Sequence, residues 1–202
     1  MAERLVQLSD EMADVAAQVR LSLVQIQNGR RGAGAGSVWH PNGLIVTNAH
    51  VVRSSSLLAR LSDGRELPAR VLAQSRELDL AALSIEADGL PTIGLGDSRS
   101  LRPGHLVLAM GHPWGVTGAV AGGVVIGVGP DLPDAPSSGR DWIAASLRLR
   151  PGNSGGPLMD AQGRLVGINA MMTGPDVAVA VPVHTAATFL QDALRWESAR
   201  TS

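Results

Sequence analysis

The sequence predicts an all-β fold: two six-stranded antiparallel β-barrels, with a helix at each end of the chain. Three observations predict it. From Leu21 onward the chain is a series of short runs rich in Val, Ile and Leu, split by turn signals at Asn42-Gly43, Asp63-Gly64 and Gln162-Gly163. No long helical pattern separates any two of those runs, which favours antiparallel barrels or a sandwich over alternating strands and helices. A polar, Gly/Pro-rich stretch, Gly96-Asp97-Ser98-Arg99-Ser100-Leu101-Arg102-Pro103-Gly104, lies at the midpoint and reads as the connection between two halves.

Taken in order, Leu5, Leu8, Met12, Val15 and Val19 recur at spacings of three and four, so 1–20 is read as an amphipathic helix docking its apolar face on the body. Runs at 22–27, 36–39, 44–48, 57–61, 66–73 and 80–85 supply the first barrel, within 21–95. The connection occupies 96–104. Runs at 105–110, 119–127, 142–147, 157–159, 165–170 and 177–182 supply the second barrel, within 105–184. The segment 185–202 closes the chain as a helix and tail, by composition and periodicity. A faint echo links the halves: Gly36, Gly43, Ile45 and Val46 recur 120 residues later as Gly156, Gly163, Leu165 and Val166.

Composition bounds the chemistry. With 202 residues, 45% of them hydrophobic, the chain can bury its own core as one domain without metals or disulfides. A formal net charge of -1, with basic residues spread along the chain, makes no electrostatic case for nucleic acid or an anionic membrane. Cysteine, lysine and tyrosine are absent, which excludes a cysteine nucleophile, a thiolate zinc site, a Ser-Lys dyad and a Schiff-base lysine. Residues 1–20 carry Glu3, Asp10, Glu11 and Asp14 and no apolar run of seven, so they are neither a signal peptide nor a membrane span. As written this implies a cytoplasmic chain; an exported mature domain trimmed of its leader would read the same.

The most distinctive stretch is Arg150-Pro151-Gly152-Asn153-Ser154-Gly155-Gly156-Pro157-Leu158. A serine hydroxyl becomes a useful nucleophile only when a base takes its proton and backbone N–H groups hold the oxyanion it creates. Glycines at 152, 155 and 156 let the chain bring its own amides beside Ser154. An ordinary Gly-Ser turn is the alternative. Of the five histidines, His40, His105, His112 and His184 sit at turns or element ends. His50 instead follows the apolar run Gly43–Thr47, among neighbours that would partly bury it and leave its ring nitrogens needing partners. Asp79 heads the apolar run Leu80–Ile85, where a lone carboxylate is costly unless paired.

These residues carry a resemblance. Thr47-Asn48-Ala49-His50-Val51-Val52, Asp79-Leu80-Ala81 and Pro151-Gly152-Asn153-Ser154-Gly155-Gly156-Pro157-Leu158 resemble the three motifs of the HtrA/Deg proteases, which are trypsin-like serine peptidases. The likeness covers about residues 24 to 190. It implies a double barrel with the site in the cleft, His50 and Asp79 coming from the first barrel and Ser154 from the second. It also implies an oxyanion hole from the backbone N–H groups of Gly152 and Ser154. Leu149, five residues before the nucleophile, corresponds to a family position lining the pocket for the side chain that precedes the scissile bond. Arg148 stands where trypsin carries its pocket Asp. Neighbours on an extended backbone face opposite ways, so the expectation is Leu149 inside, Arg148 in solvent and cleavage after aliphatic residues; an inward Arg148 would select acidic ones. The chain departs from the family at 145–150, where Ala-Ser-Leu-Arg-Leu-Arg replaces the usual Thr-Asp-Ala-Ala-Ile-Asn.

The resemblance thus implies a serine endopeptidase, a protease domain only, without a PDZ domain, acting on unfolded or flexible polypeptides through an acyl-enzyme. No metal and no cofactor is expected, and homo-oligomerisation is left open. Two other readings compete. Gly152-Asn153-Ser154-Gly155-Gly156 also fits the nucleophile elbow of α/β-hydrolases, with Asp176 and His184 following in the right order, but an elbow must run into a helix and Gly156-Pro157 does not. The second is a catalytically weak protease fold kept as a binding or chaperone module.

Overall fold

The computed structural model describes residues 2–29, 33–132 and 139–201. Among these residues twelve strands form: β1 (Leu23–Asn28), β2 (Ala33–His40), β3 (Leu44–Thr47), β4 (Leu57–Arg60), β5 (Glu66–Ser75), β6 (Leu80–Ile85), β7 (Leu106–Gly111), β8 (Ala119–Gly129), β9 (Trp142–Ser146), β10 (Pro157–Asp160), β11 (Leu165–Gly174) and β12 (Val177–Pro182). They close into two antiparallel barrels, ordered β1-β2-β3-β6-β5-β4 and β10-β11-β12-β9-β8-β7. Closure pairs every strand on both sides, so neither barrel leaves an open edge. The three sequence turns each join consecutive strands: β2 to β3, β4 to β5, and β10 to β11.

Both barrels follow one topology, since reading the second as β7-β8-β9-β12-β11-β10 reproduces the first. In that correspondence β2 matches β8, not β10. The 120-residue echo, which lays β2 and β3 on β10 and β11, therefore joins unlike strands and reflects only that glycine turns between aliphatic runs recur.

Three apolar clusters hold the molecule. One fills the first barrel around Ile26, Ile45 and Leu83, and another fills the second around Val107, Ile143 and Leu158. The third joins the barrels to each other, with Val46, Leu80 and Ala82 meeting Leu108, Met110, Met159 and Ile168. Each fully buried Leu or Ile contributes about 1.5–3 kcal/mol relative to exposure. After β6 the chain crosses early to the second barrel: the Gly96 N–H donates to the Leu165 carbonyl at 2.9 Å, and the Leu165 N–H to the Gly94 carbonyl at 2.7 Å.

The terminal helices differ from expectation in extent. Helix α1 (Ala2–Val19) docks only through its C-terminal half: Val19 is buried and Met12, Val15 and Ala16 pack against the shared cluster, while Leu5 and Leu8 are exposed. Helix α2 (Val183–Thr201) begins two residues earlier than its periodicity suggested and buries Ala186 and Leu190. His184 ties that start to the second barrel and the connection, with Nδ1 2.7 Å from Ser98 Oγ and Nε2 3.6 Å from Asp141. Among the described residues, no helix is long and apolar enough to cross a membrane.

Candidate active site

A cavity of about 440 Å³ runs between the barrels. The first barrel lines it with Asn28, Gly34, His50, Val51 and Arg53; the second lines it with Leu149 to Gly152, Ser154 and Ala170 to Met172. Neither barrel has this surface alone.

His50 sits in a 3₁₀ turn, Ala49–Val51, directly after β3. Four side chains fix that turn. Asn28 Nδ2 donates to the Val51 carbonyl at 2.8 Å, Gln74 Nε2 to the Ala49 carbonyl at 2.9 Å, and Arg53 Nε to the His50 carbonyl at 2.9 Å. The fourth is Asp79, whose Oδ1 accepts the His50 backbone N–H at 3.1 Å. The same carboxylate straddles the ring nitrogen, with Nδ1 2.8 Å from Oδ2 and 3.0 Å from Oδ1. A carboxylate against Nδ1 favours the tautomer carrying its proton there, leaving Nε2 as an acceptor facing the cleft.

Asp79 ends the turn before β6 with φ +53, in the left-handed region that few side chains other than Gly, Asn and Asp enter. Asn48 Nδ2 donates to the Asp79 carbonyl at 2.9 Å, which secures that backbone. Asp79 is 8% exposed, so its pairing with His50 also relieves the cost of burying a carboxylate.

Ser154 lies in the loop from β9 to β10. Residues Arg150 to Asn153 form a type II turn, with Pro151 second, Gly152 third at φ +106, and the Asn153 N–H donating to the Arg150 carbonyl at 2.9 Å. Asn153 Oδ1 accepts the Arg150 N–H at 3.0 Å. The Gly155 N–H donates to the Asn169 carbonyl and the Gly156 N–H to the Asn153 carbonyl. Arg150, Asn153, Gly155 and Gly156 are thus spoken for, and Pro151 has no N–H. Of the 150–156 amides, those of Gly152 and Ser154 have no acceptor among the described residues. A Cβ at Gly152 would lie 2.5 Å from the His112 carbonyl oxygen, so a side chain there would displace the turn.

The Ser154 hydroxyl donates to the Ala170 carbonyl at 3.0 Å rather than to the imidazole. Leu149 lines the cavity and is buried, while Arg148 is exposed and reaches Asp176 at 3.8 Å. Arg150 places its guanidinium 5.3 Å from the centroid of the exposed Trp114 ring. The elbow alternative fails geometrically: Gly156 leads into β10, Asp176 pairs with Arg148, and His184 is engaged by Ser98 and Asp141. Among the described residues, no three His, Cys, Asp or Glu side chains gather as a metal site.

Sequence reasoning missed Asn28, Gln74 and Asn169, which hold the two halves in position. Buried Asn169 donates through Nδ2 to the Pro157 carbonyl at 2.8 Å while its own carbonyl accepts Gly155. Its signal was a lone amide inside the apolar run Leu165–Ala170, the same signal that marked Asp79. His112 was read as a loop residue, yet it is 5% exposed, its ring buried beside the Val24 backbone. Burial pushes its pKa down to about 4, against a smaller upward pull from the Val24 backbone, and the Arg60 charge lowers it further.

Paired closed barrels with a serine and a carboxylate-bound histidine at their junction define the class of trypsin-like serine peptidases. The chain belongs to this family: the family model described as trypsin-like peptidase domain matches residues 34–168. Relatives include a probable periplasmic serine endoprotease, DegP-like, of Halomonas elongata, 39% identical over 148 residues, covering 71% of this chain and 30% of that protein. The mitochondrial serine protease HTRA2 of Drosophila pseudoobscura pseudoobscura is 36% identical over 165 residues, covering 79% of this chain and 39% of that protein. The chain thus spans under two fifths of the length of either relative. Among solved structures, the HtrA-type protease AlgW with tripeptide superposes with a TM-score of 0.82 at 29% identity, covering 89% of this chain and 62% of that one. AlgW with decapeptide gives 0.82 at 25% identity, covering 91% and 67%.

Proposed function

We propose that this chain is a serine endopeptidase that cleaves unfolded or flexible polypeptides by acyl transfer. The observation that carries the reading is the carboxylate-bound His50 in the same cavity as Ser154 and the two unpaired amides of Gly152 and Ser154. In the proposed step Ser154 Oγ turns from the Ala170 carbonyl toward His50 Nε2, gives up its proton and attacks the scissile carbonyl. The Gly152 and Ser154 N–H groups hold the oxyanion. His50 then protonates the leaving amine, Asp79 keeps the ring in the productive tautomer, and water hydrolyses the acyl-enzyme. Every group required is supplied by the chain itself. Leu149, Ala170 and Met172 give the side-chain pocket an apolar wall, which suits medium-sized aliphatic residues before the cleaved bond.

The relatives' names, periplasmic in one case and mitochondrial in the other, favour a compartment outside the cytosol over the cytoplasmic reading. One observation favours a second reading, a binding module of the same fold: the Ser154 hydroxyl is engaged by Ala170 rather than His50. Casein digestion by purified wild type and Ser154→Ala decides between them. We expect turnover to fall by roughly six orders of magnitude in the variant, with an unchanged melting profile. Equal digestion by both would refute the serine mechanism, and none by either would favour the binding module.

A further inference from the structure

The fixed charges that line the cleft are of one sign. Arg53 from the first barrel and Arg150 from the second line it together with His50, and among the described residues no Asp or Glu does. Asp79 is buried against the His50 ring nitrogen and is not part of the lining. Unlike Arg60, Arg65, Arg148 and Arg164, neither cleft guanidinium forms an ion pair among the described residues. Arg53 is exposed and spends Nε on the His50 carbonyl at 2.9 Å, which leaves its Nη hydrogens free to donate. Arg150 is half-buried, with its guanidinium 5.3 Å from the Trp114 centroid, a contact that uses none of its N–H groups. Trp114 holds that ring 75% exposed at φ +54, a conformation costly for an aromatic residue.

We propose that Arg53 and Arg150 select substrates carrying an aspartate or glutamate just after the cleaved bond. This rests on the serine-peptidase reading, whose geometry decides the side. His50 protonates the leaving amine, so the chain which that amine carries passes the His50 turn, and Arg53 is fastened to that turn. The residue before the bond goes instead to the wall of Leu149, Ala170 and Met172. Arg150 follows Leu149, but its guanidinium lies by Trp114, which is no part of that wall. Two unpaired cations at one cavity repel each other, so a carboxylate entering between the barrels is favoured by both. The guanidinium fork also matches carboxylate oxygens in geometry. Because both side chains reach solvent, the gain is modest and sensitive to salt. An aliphatic residue before the bond and an acidic one after it are then separate demands of two parts of the cleft.

The test uses quenched fluorescent peptides blocked at both ends, with valine before the bond and Asp, Asn or Lys at either of the two positions after it. The expected order of kcat/KM is Asp, then Asn, then Lys, with Asp over Lys by about tenfold at low salt and much less at high salt. Arg53 also secures the His50 turn, so the Asp-to-Lys ratio is compared within each variant rather than the rate. That ratio should fall toward one in the Arg53→Gln, Arg150→Gln double variant and survive in Arg150→Lys. The same peptides titrated onto Ser154→Ala, read by fluorescence anisotropy, should bind in the same order. Cleavage of all three at equal rates, or a ratio unaltered in the double variant, would overturn this inference and leave the peptidase reading intact. Binding in the expected order with no cleavage by wild type would overturn the peptidase reading alone. Neither cleavage nor ordered binding would overturn both.

Discussion

Asp79 combines a left-handed backbone, a nearly buried carboxylate and three contacts to His50. An amide in its place would keep the shape and could accept from the backbone N–H, but it would permit the wrong imidazole tautomer. Asp79→Asn should therefore reduce turnover by about 10⁴ while melting within a few degrees of wild type. A loss under about tenfold would mean that another group orients the ring. His112 makes a separate prediction about acid stability. Its pKa in the folded chain is about 4, below the ordinary 6.5, so as pH falls the unfolded chain takes the proton first. The stability tied to neutral His112 is complete above 6.5 and is lost as pH falls from there to 4, about 3 kcal/mol in all. Urea unfolding of His112→Asn across that window should show a shallower decline than wild type, and parallel curves would contradict the assignment. His50, Asp79 and Ser154 were legible in the sequence because each is a polar residue set against an apolar or glycine-rich background. His112 was not, because its burial comes from the first barrel closing over a loop of the second.

Among the elements, the Arg150–Asn153 turn bears most directly on the proposed oxyanion hole. Whether its central peptide presents an N–H or a carbonyl to the cleft depends on the positive φ of Gly152. Gly152→Ala adds a methyl group against the His112 carbonyl and disfavours that φ, so the turn should lose its geometry before the barrels lose theirs. The variant should fall by roughly 10² or more in kcat, as for loss of an oxyanion donor, with an unchanged circular dichroism spectrum. Wild-type turnover would show that the Gly152 amide is not used. All twelve strands were legible because alternation and turn residues are local signals, and the three glycine turns each join neighbours. What was not legible is tertiary in origin: α1 packs on the body only from Met12 onward, although the apolar spacing of its sequence starts at Leu5. The Ala-Ser-Leu-Arg-Leu-Arg segment keeps an ordered loop because Asn153, not a side chain of 145–150, caps the Arg150 amide.

For the molecule as a whole, the barrels share an apolar cluster that includes Val46 and Leu80 from one and Met110 and Met159 from the other. They should unfold together, with tryptophan fluorescence and far-ultraviolet dichroism giving coincident transitions. Met159→Ala should lower stability by about 2–5 kcal/mol in that single transition; two separated transitions would show that the barrels are independent. On the proposed function the assembled cleft would also set selectivity, since Leu149 lines the cavity and Arg148 is exposed. Cleavage-site profiling on a peptide library should give mostly aliphatic residues before the bond, unaltered by Arg148→Ala, and a majority of acidic sites would reverse the two side chains' roles. Activation of Ser154 by His50 and Asp79 in this cleft can be read by fluorophosphonate labelling, with the adduct located by peptide mass spectrometry. One adduct is expected, on Ser154, formed far more slowly in Asp79→Asn and not in His50→Ala. A folded wild-type protein that takes no label, or takes it on another residue, would contradict it.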